Sequence, residues 1–186
     1  MLATRLRFEA VHQPVLHLFP VRPARILDVG SGPGHDAASL AERGHAVTPV
    51  EPTPELRDGA MALYPDLPIE WVDDSLPTLE RLTESHPRPF DFILVEGVWA
   101  HLTITERAEA LPVLARLLSS DGALAISLRH GPAAPGRITY PVTASETSAI
   151  AEAAGLTTLV NVSTGSIQAA NIARGVTWTR MAFGHR

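Results

Sequence analysis

The sequence contains no cysteine among its 186 residues. Disulfide bonds, thiolate nucleophiles and zinc sites with thiolate ligands are therefore excluded. Clustered positive charge is also lacking, because the formal net charge is −5 and Lys and Arg form no dense run. Proteins that bind duplex nucleic acid usually present a basic face, since phosphate neutralisation dominates their affinity. The composition therefore disfavours a nucleic-acid partner.

Long apolar runs are missing as well. No stretch approaches the roughly 20 apolar residues that a transmembrane helix needs, and residues 1–7 lack the apolar core of a signal peptide. These absences predict a cytoplasmic protein with no membrane partner. A chain of 186 residues suits a single domain, because domains usually contain about 50 to 250 residues. We therefore expect one domain over residues 1–186.

Strand and helix patterns alternate along the chain. Strands are predicted from short apolar runs at residues 25–29, 45–50, 69–72, 90–95, 123–128, 156–162 and 176–183. Helices are predicted at residues 36–43, 53–63, 76–83, 105–118 and 145–154. Pro14 should interrupt an N-terminal helix and Pro112 should kink a later one. Alternation of this kind is typical of a parallel sheet with helices on both faces.

A glycine-rich turn joins the first predicted strand to the next helix. Residues 28–34 read Asp-Val-Gly-Ser-Gly-Pro-Gly. Gly30 permits a turn that a β-carbon would obstruct, and Gly32 and Gly34 let the backbone approach a ligand closely. Glu51 ends the following strand, where a carboxylate can accept hydrogen bonds from two ribose hydroxyls. The turn therefore predicts a nucleoside site, although a tight turn that binds nothing is the alternative.

The spacing and charge of this turn distinguish two ligands. The dinucleotide fingerprint G-x-G-x-x-G places a pyrophosphate at the helix N-terminus, whereas this turn is G-x-G-x-G with His35 in the place of the last glycine. Asp28 puts a carboxylate beside the turn, where it would repel a pyrophosphate. The same carboxylate would attract the amino group and sulfonium of S-adenosylmethionine (SAM). Electrostatics therefore favours SAM over a nicotinamide dinucleotide.

Five segments resemble, in order, the motifs of class I SAM-dependent methyltransferases. They are residues 26–34, 50–52, 71–77, 90–102 and 117–124. The resemblance implies a Rossmann-like three-layer α/β/α sandwich, with a mostly parallel seven-stranded sheet, an antiparallel last strand and a helical lid at residues 1–22. It also implies transfer of a methyl group from SAM to a small-molecule acceptor, with S-adenosylhomocysteine (SAH) as product.

The resemblance also assigns cofactor roles to individual residues. The glycines of the turn would line the methionine moiety of SAM, and the aspartate before them would lie near its amino group. Glu51 would hold the ribose. Asp74 would hold the adenine amino group, or Asp73 if the strand shifts by one residue. Glu96 and Gly97 would border the site of methyl transfer. The complete predicted set is Asp28, Gly30, Ser31, Gly32, Gly34, Glu51, Pro52, Asp73, Asp74, Ser75, Glu96 and Gly97.

Histidines are the candidates for a general base, because their ordinary pKa lies near neutrality. We predict His101 and His130 as catalytic residues, since each follows a predicted strand of the sheet, although each can instead be a structural loop residue. Arg129 could bind an acidic acceptor. His12 is either a lid residue or a surface histidine, and Trp99 either an acceptor platform or core. The predicted acceptor-binding residues are His12, Trp99, His101, Arg129 and His130.

Several functions stay open beside a small-molecule methyltransferase. The alternatives are a SAM-binding protein without catalysis, methylation of protein or nucleic acid, and a nucleotide-dependent oxidoreductase. Residues 96–99 read Glu-Gly-Val-Trp where amino-methylating DNA enzymes carry an Asn/Asp-Pro-Pro-aromatic motif. No metal is predicted, because His, Asp and Glu show no recognisable ligand spacing. The acceptor, the atom methylated and the oligomeric state are not predicted.

Overall fold

A single twisted sheet organises the computed structural model, which describes residues 6–186. Within that range the sheet has six strands in the order β2-β1-β3-β4-β6-β5. They are β1 (Arg25–Val29), β2 (Ala46–Val50), β3 (Phe90–Val95), β4 (Leu118–His130), β5 (Leu156–Gly165) and β6 (Thr177–His185). Strands β1 to β4 pair in parallel, whereas β6 is antiparallel to both β4 and β5. The prediction of a mostly parallel sheet with an antiparallel last strand is confirmed.

One of the seven predicted strands, at residues 69–72, is wrong, because it does not form in the chain as described. Val72 makes one isolated parallel bridge to Val50. The amides of Val72 and Glu51 continue the pairing pattern, with hydrogen bonds of 2.9 and 3.1 Å. The residue of β2 that should donate next is Pro49, which has no N–H. The ladder therefore stops after a single bridge.

Helices and short turns cover both faces of the sheet. They are α1 (Phe8–His12), α2 (His35–Ala41), α3 (Pro54–Leu63), α4 (Glu80–Ser85), α5 (Ile104–Leu117), α6 (Ala144–Ala153) and α7 (Ala169–Ile172), with 3-10 turns at Gln13–Leu18 and Trp99–His101. As predicted, Pro14 interrupts the first helix, since α1 ends at His12 and a 3-10 turn follows. Helix α5 runs through Pro112, and a capping box of Thr103 and Glu106 fixes its start. No helix in the described range is long and apolar enough to cross a bilayer.

The core has one layer on each side of the sheet, because successive strand residues point to opposite faces. Ile26 packs with the buried rings of Phe8 and Phe19, on the side of α1 and α2. Leu27 packs on the other side with Leu111 and other residues of α4, α5 and α6. The parallel strands β1, β2, β3 and β4 all end at one edge of this sandwich. In such folds, ligands bind outside that carboxyl edge.

Candidate functional site

Two cavities adjoin the carboxyl edge of the sheet. The first cavity has a volume of about 600 Å³ and lies between the glycine turn and the segment after β3. The second cavity has a volume of about 300 Å³ and lies on the α1 side of the turn. Gly30, Gly32, Pro33 and Glu96 border both cavities. The turn and the end of β3 therefore form a shared wall where one ligand could extend from one cavity into the other.

The glycines of the turn serve different purposes. Gly30 has φ +70°, and a β-carbon there would lie 2.3 Å from Cγ2 of Val98. Gly32 borders both cavities, and no heavy atom would lie within 4 Å of its β-carbon. Gly34 departs from the prediction, because it is not among the described residues that line either cavity. Its β-carbon would lie 2.7 Å from the Trp71 ring, so glycine is needed there for packing.

Glu51 braces the glycine turn from the end of β2. Its side chain is buried, and its two carboxylate oxygens accept hydrogen bonds from the amides of Gly32 at 2.8 Å and Thr53 at 2.9 Å. Glu51 and Pro52 both border the first cavity. The carboxylate is thus held rigidly at the cavity wall by backbone groups, and further lone pairs are left for a ligand.

Asp73 and Asp74 occupy different environments. Asp74 borders the first cavity together with Ser75, and its oxygens accept hydrogen bonds from the amides of Ser75 at 2.8 Å and Leu82 at 2.9 Å. Asp73 instead forms ion pairs with Arg57 at 3.1 Å and Arg81 at 3.0 Å. It is absent from the wall that the described residues give this cavity. Of the two alternatives, the geometry brings Asp74 to the cavity.

Asp28 borders the second cavity with a buried carboxylate. Its Oδ2 atom and the Oγ atom of Ser31 have no hydrogen-bond partner among the described residues. Burial, followed by the negative charge of Asp36, raises the pKa of Asp28 to about 7. A buried carboxylate whose Oδ2 atom lacks a hydrogen-bond partner, beside a cavity, favours a ligand that carries a positive charge and N–H donors.

His12 is only 1% exposed, so the surface alternative for this residue is wrong. Its ring packs against Phe8 and Phe19, and its Nε2 atom lies 3.1 Å from Oδ2 of Asp36. Burial lowers the pKa of His12, but the hydrogen bond and charge of Asp36 outweigh burial, and the net shift is upward. His12 therefore joins α1 to the first turn of α2.

Glu96 and Gly97 occupy the junction at the end of β3. Glu96 borders both cavities and pairs with Arg180 of β6. Gly97 borders the first cavity and donates its amide to Oγ of Ser127 at 2.8 Å. The sequence analysis missed Arg180, because a lone arginine in a strand pattern carries no signal for a partner 84 positions away.

His101 is the predicted catalytic residue that reaches a cavity. It borders the first cavity, and its Nδ1 atom donates to the carbonyl of Ile138 at 2.7 Å. A carbonyl only accepts, so Nδ1 carries the proton and Nε2 is unprotonated in the neutral ring. Arg137, in the same loop as Ile138, borders this cavity too and was missed from sequence.

The other predicted acceptor residues lie apart from the first two cavities. Trp99 is fully buried in the core and donates to Oγ1 of Thr147 at 3.3 Å, so its assignment as an acceptor platform is corrected. His130 hydrogen-bonds Thr179 at 2.8 Å, at the end of β4. The Nη2 atom of Arg129 is buried without a partner among residues 6–186. None of these three lines the two cavities in the described chain.

Comparison with known protein families identifies the family to which the part of the fold with the glycine turn belongs. A family model described as a methyltransferase domain matches residues 26–122, which is just over half of the chain. The chain belongs to this methyltransferase family. The match spans the turn, Glu51, Asp74 and Glu96, whereas Arg180 lies outside it. The matched segment thus contains most of the residues that line the first two cavities.

Curated relatives match more than half of the chain. A ubiquinone biosynthesis O-methyltransferase from Xylella fastidiosa is 33% identical over 108 residues, covering 58% of this chain and 43% of the relative. An uncharacterized methyltransferase from Mycobacterium tuberculosis is 32% identical over 110 residues, covering 59% of this chain and 41% of the relative. The chain therefore spans less than half of the length of these relatives.

Solved structures match almost the whole chain in fold. A TehB-like SAM-dependent methyltransferase from Corynebacterium glutamicum superposes with a TM-score of 0.70 at 24% identity, covering 97% of this chain and 89% of that one. A Burkholderia thailandensis 1,6-didemethyltoxoflavin-N1-methyltransferase superposes with a TM-score of 0.69 at 23% identity, covering 94% of this chain and 74% of that one. At this identity the likeness concerns the fold, and it extends through the last strands beyond the family match.

Proposed function

We propose that this protein is a SAM-dependent methyltransferase that acts on a small-molecule acceptor. The observation that carries the proposal is the carboxylate lining of the two adjacent cavities. Asp28, Glu51, Asp74 and Glu96 all border them, and Arg137 is the only arginine among the described lining residues of the pair. A cationic sulfonium nucleoside complements such walls, whereas a diphosphate would be repelled.

The residues present fit the parts of SAM. The first cavity falls within the range of about 300 to 1,000 Å³ typical of ligand pockets, and in it Glu51 would hold the ribose and Asp74 the adenine amino group. The second cavity would take the methionine moiety, with Asp28 and Ser31 facing its ammonium group. Gly32 would allow close approach at the point where the cavities meet.

The chain's own contribution is to bind and orient the reactants. When bound, SAM supplies a methyl group on positively charged sulfur; an acceptor lone pair bonds to the methyl carbon, the carbon–sulfur bond breaks with its electron pair left on sulfur, and SAH is released. Glu96 would lie near this centre, because it is the charged side chain that borders both cavities in the described chain. Binding at a fixed geometry is the main source of acceleration for such a displacement.

Isothermal titration calorimetry with SAM, SAH, NAD and NADP tests this proposal. We expect SAM and SAH to bind with one-to-one stoichiometry and the dinucleotides to give no heat above dilution. Binding of a dinucleotide without binding of SAM or SAH would reject the methyltransferase assignment. Retained SAM with no methyl transfer to any member of a broad acceptor panel would instead favour a binding protein without catalysis.

Glu51→Gln should weaken SAH binding by about 10- to 100-fold, as expected for loss of a hydrogen bond to a charged group. Glutamine keeps the shape of the side chain and one carbonyl oxygen for the turn, but it removes the charge that favours the ribose hydroxyls. Calorimetry measures the change. Glu55→Gln is the matched control, because Glu55 is exposed and outside the described cavity wall, and the affinity of this variant should equal that of the wild type. Equal losses in both variants would contradict the assigned role of Glu51.

The remaining sequence predictions extend this proposal. A small-molecule acceptor rather than nucleic acid is supported by the net charge of −5. The cytoplasmic location stays a prediction, as does a catalytic role for His101. His101 borders the first cavity, and in the neutral ring its Nε2 atom is the acceptor, which suits proton acceptance or hydrogen bonding to the nucleoside.

A further inference from the structure

A third cavity of about 230 Å³ adjoins the second one. Helix α1 and the turn after it form one wall, the loop after β5 forms another, and β6 forms the floor. Leu6, Val11, Glu96 and Gln168 border both the second and third cavities. The third cavity therefore lies directly beside the place proposed for the methionine end of SAM.

The floor of the third cavity contains an aromatic ring and an ion pair with no net charge. Trp178 is partly buried on β6, and the guanidinium carbon of Arg180 lies 5.0 Å from the centroid of its ring. Arg180 and Glu96 are the only charged side chains among the described lining residues, and they pair with each other. A charged guest would have to compete with this pair, whereas an uncharged ring can pack against the indole.

Uncharged amides complete the walls of the third cavity. Gln13 and Gln168 line opposite sides, from the turn after α1 and from the loop after β5. The Oε1 atom of Gln168 accepts a hydrogen bond from Asn171 at 2.7 Å, which leaves its N–H groups to donate. Ser166 adds a hydroxyl to the same wall. The cavity thus offers neutral hydrogen-bonding groups around an aromatic surface.

We infer that the third cavity binds the methyl acceptor, and that the acceptor is a small, uncharged aromatic ring bearing a hydroxyl or a ring N–H. This inference rests on the proposed function. The volume lies below the roughly 300 Å³ at which drug-sized pockets begin, which suits one or two rings and no large lipid or peptide. Glu96 borders the cofactor cavities and this one, so its carboxylate is placed to accept the hydrogen bond of the acceptor O–H or N–H and to take that proton as the oxygen or nitrogen bonds to the methyl carbon. His101 and His130 are not among the described residues that line the third cavity.

Saturation-transfer NMR and calorimetry with three six-membered-ring probes test the inference on the protein saturated with SAH. Phenol and cyclohexanol have the same number of heavy atoms and differ in aromaticity, whereas benzoate keeps the aromatic ring and replaces the hydroxyl by a negatively charged carboxylate. We expect phenol to bind at least about 10-fold more tightly than either other probe. Trp178→Leu should weaken phenol binding by about 10-fold, since the stacking surface is lost. The same variant should bind SAH as the wild type does, which shows that it is folded.

Ile104→Ala is the matched control, because Ile104 is an exposed apolar residue of α5 outside the described walls of the cavity. It should leave phenol binding unchanged. Tighter binding of benzoate, unchanged phenol binding by Trp178→Leu, or no binding of any probe to a protein that does bind SAH would overturn the inference and leave the proposed function standing. Failure of the wild type to bind SAH would overturn the proposed function and this inference with it.

Discussion

Asp28→Asn should raise the free energy of unfolding of the ligand-free protein at pH 8 while weakening its binding of SAH. Asp28 is 2% exposed and its Oδ2 atom has no partner among the described residues. Its ionised form is therefore destabilising in the folded state, as its pKa of about 7 reflects. Asparagine removes the buried charge and keeps the shape of the side chain.

The pH dependence of the Asp28 effect follows from linkage. Burial, with the charge of Asp36 as the second cause, raises the folded pKa from 3.8 to about 7, so between about pH 4 and pH 7 the folded state binds more protons than the unfolded state. The free energy of unfolding should therefore fall as the pH rises through that window, by up to about 1.4 kcal/mol per unit. The raised pKa of His12 also lowers the free energy of unfolding as the pH rises, at the upper end of this pH window. The free energy of unfolding of Asp28→Asn should equal that of the wild type at low pH. Above pH 7 it should be higher than that of the wild type by up to about 4 kcal/mol.

Urea unfolding between pH 4 and pH 8, with Asp121→Asn as an exposed-acid control, measures this difference. The same variant should bind SAH about 10- to 100-fold more weakly at pH 8, because the ammonium group loses its carboxylate partner. In the wild type, SAH affinity should fall as the pH drops below about 7. A variant that is less stable than the wild type at pH 8, or that binds SAH equally well, would contradict the role given to Asp28.

Arg107→Met should lower the free energy of unfolding by about 3 to 5 kcal/mol, the usual cost of breaking a buried ion pair on one side. Arg107 is 1% exposed and pairs with Glu146 of α6. It also donates to the carbonyl of Leu102 at 3.0 Å and to that of Pro141 at 2.8 Å. Methionine fills much of the same volume but leaves a carboxylate and two carbonyls without their donor.

Urea unfolding at pH 7 measures the Arg107 effect. Arg116→Met is the matched control, because Arg116 is exposed on the same helix and should change stability by less than about 0.5 kcal/mol. A double variant, Arg107→Met with Glu146→Leu, should recover part of the loss, since no unpaired charge is then buried. A loss below about 1 kcal/mol for Arg107→Met would mean that the three contacts are not a stabilising network.

Local patterns sufficed for the glycine turn and the acids that follow the strands. Gly30 indicates a tight turn and Gly32 a close approach of the backbone to a ligand, and Glu51 follows a strand whose end is located well by its apolar run. Because parallel strands end at one edge, their terminal residues converge without any knowledge of side-chain packing. Asp74 could not be separated from Asp73 in this way, since the distinction depends on ion pairs that Asp73 makes with Arg57 and Arg81.

Sequence patterns did not predict the side-chain contacts between distant elements. Arg180 and Arg107 read as isolated arginines in a strand and a helix, yet each is held by a carboxylate from a distant element. Trp99 follows a strand end as a pocket residue would, but a 3-10 turn directs its ring into the core. His12 showed no sequence sign of burial, because its cover comes from Phe8 and Phe19.

Pro49 has a consequence for how the sheet meets other molecules. An outermost strand with free N–H and C=O groups is a template on which another chain can add, and proteins commonly protect such strands with proline or a covering segment. β2 has both protections, since Pro49 removes a donor and residue 72 bridges to its end. The proline that limits the sheet to six strands in the described chain therefore also disfavours aggregation by addition of another strand to β2.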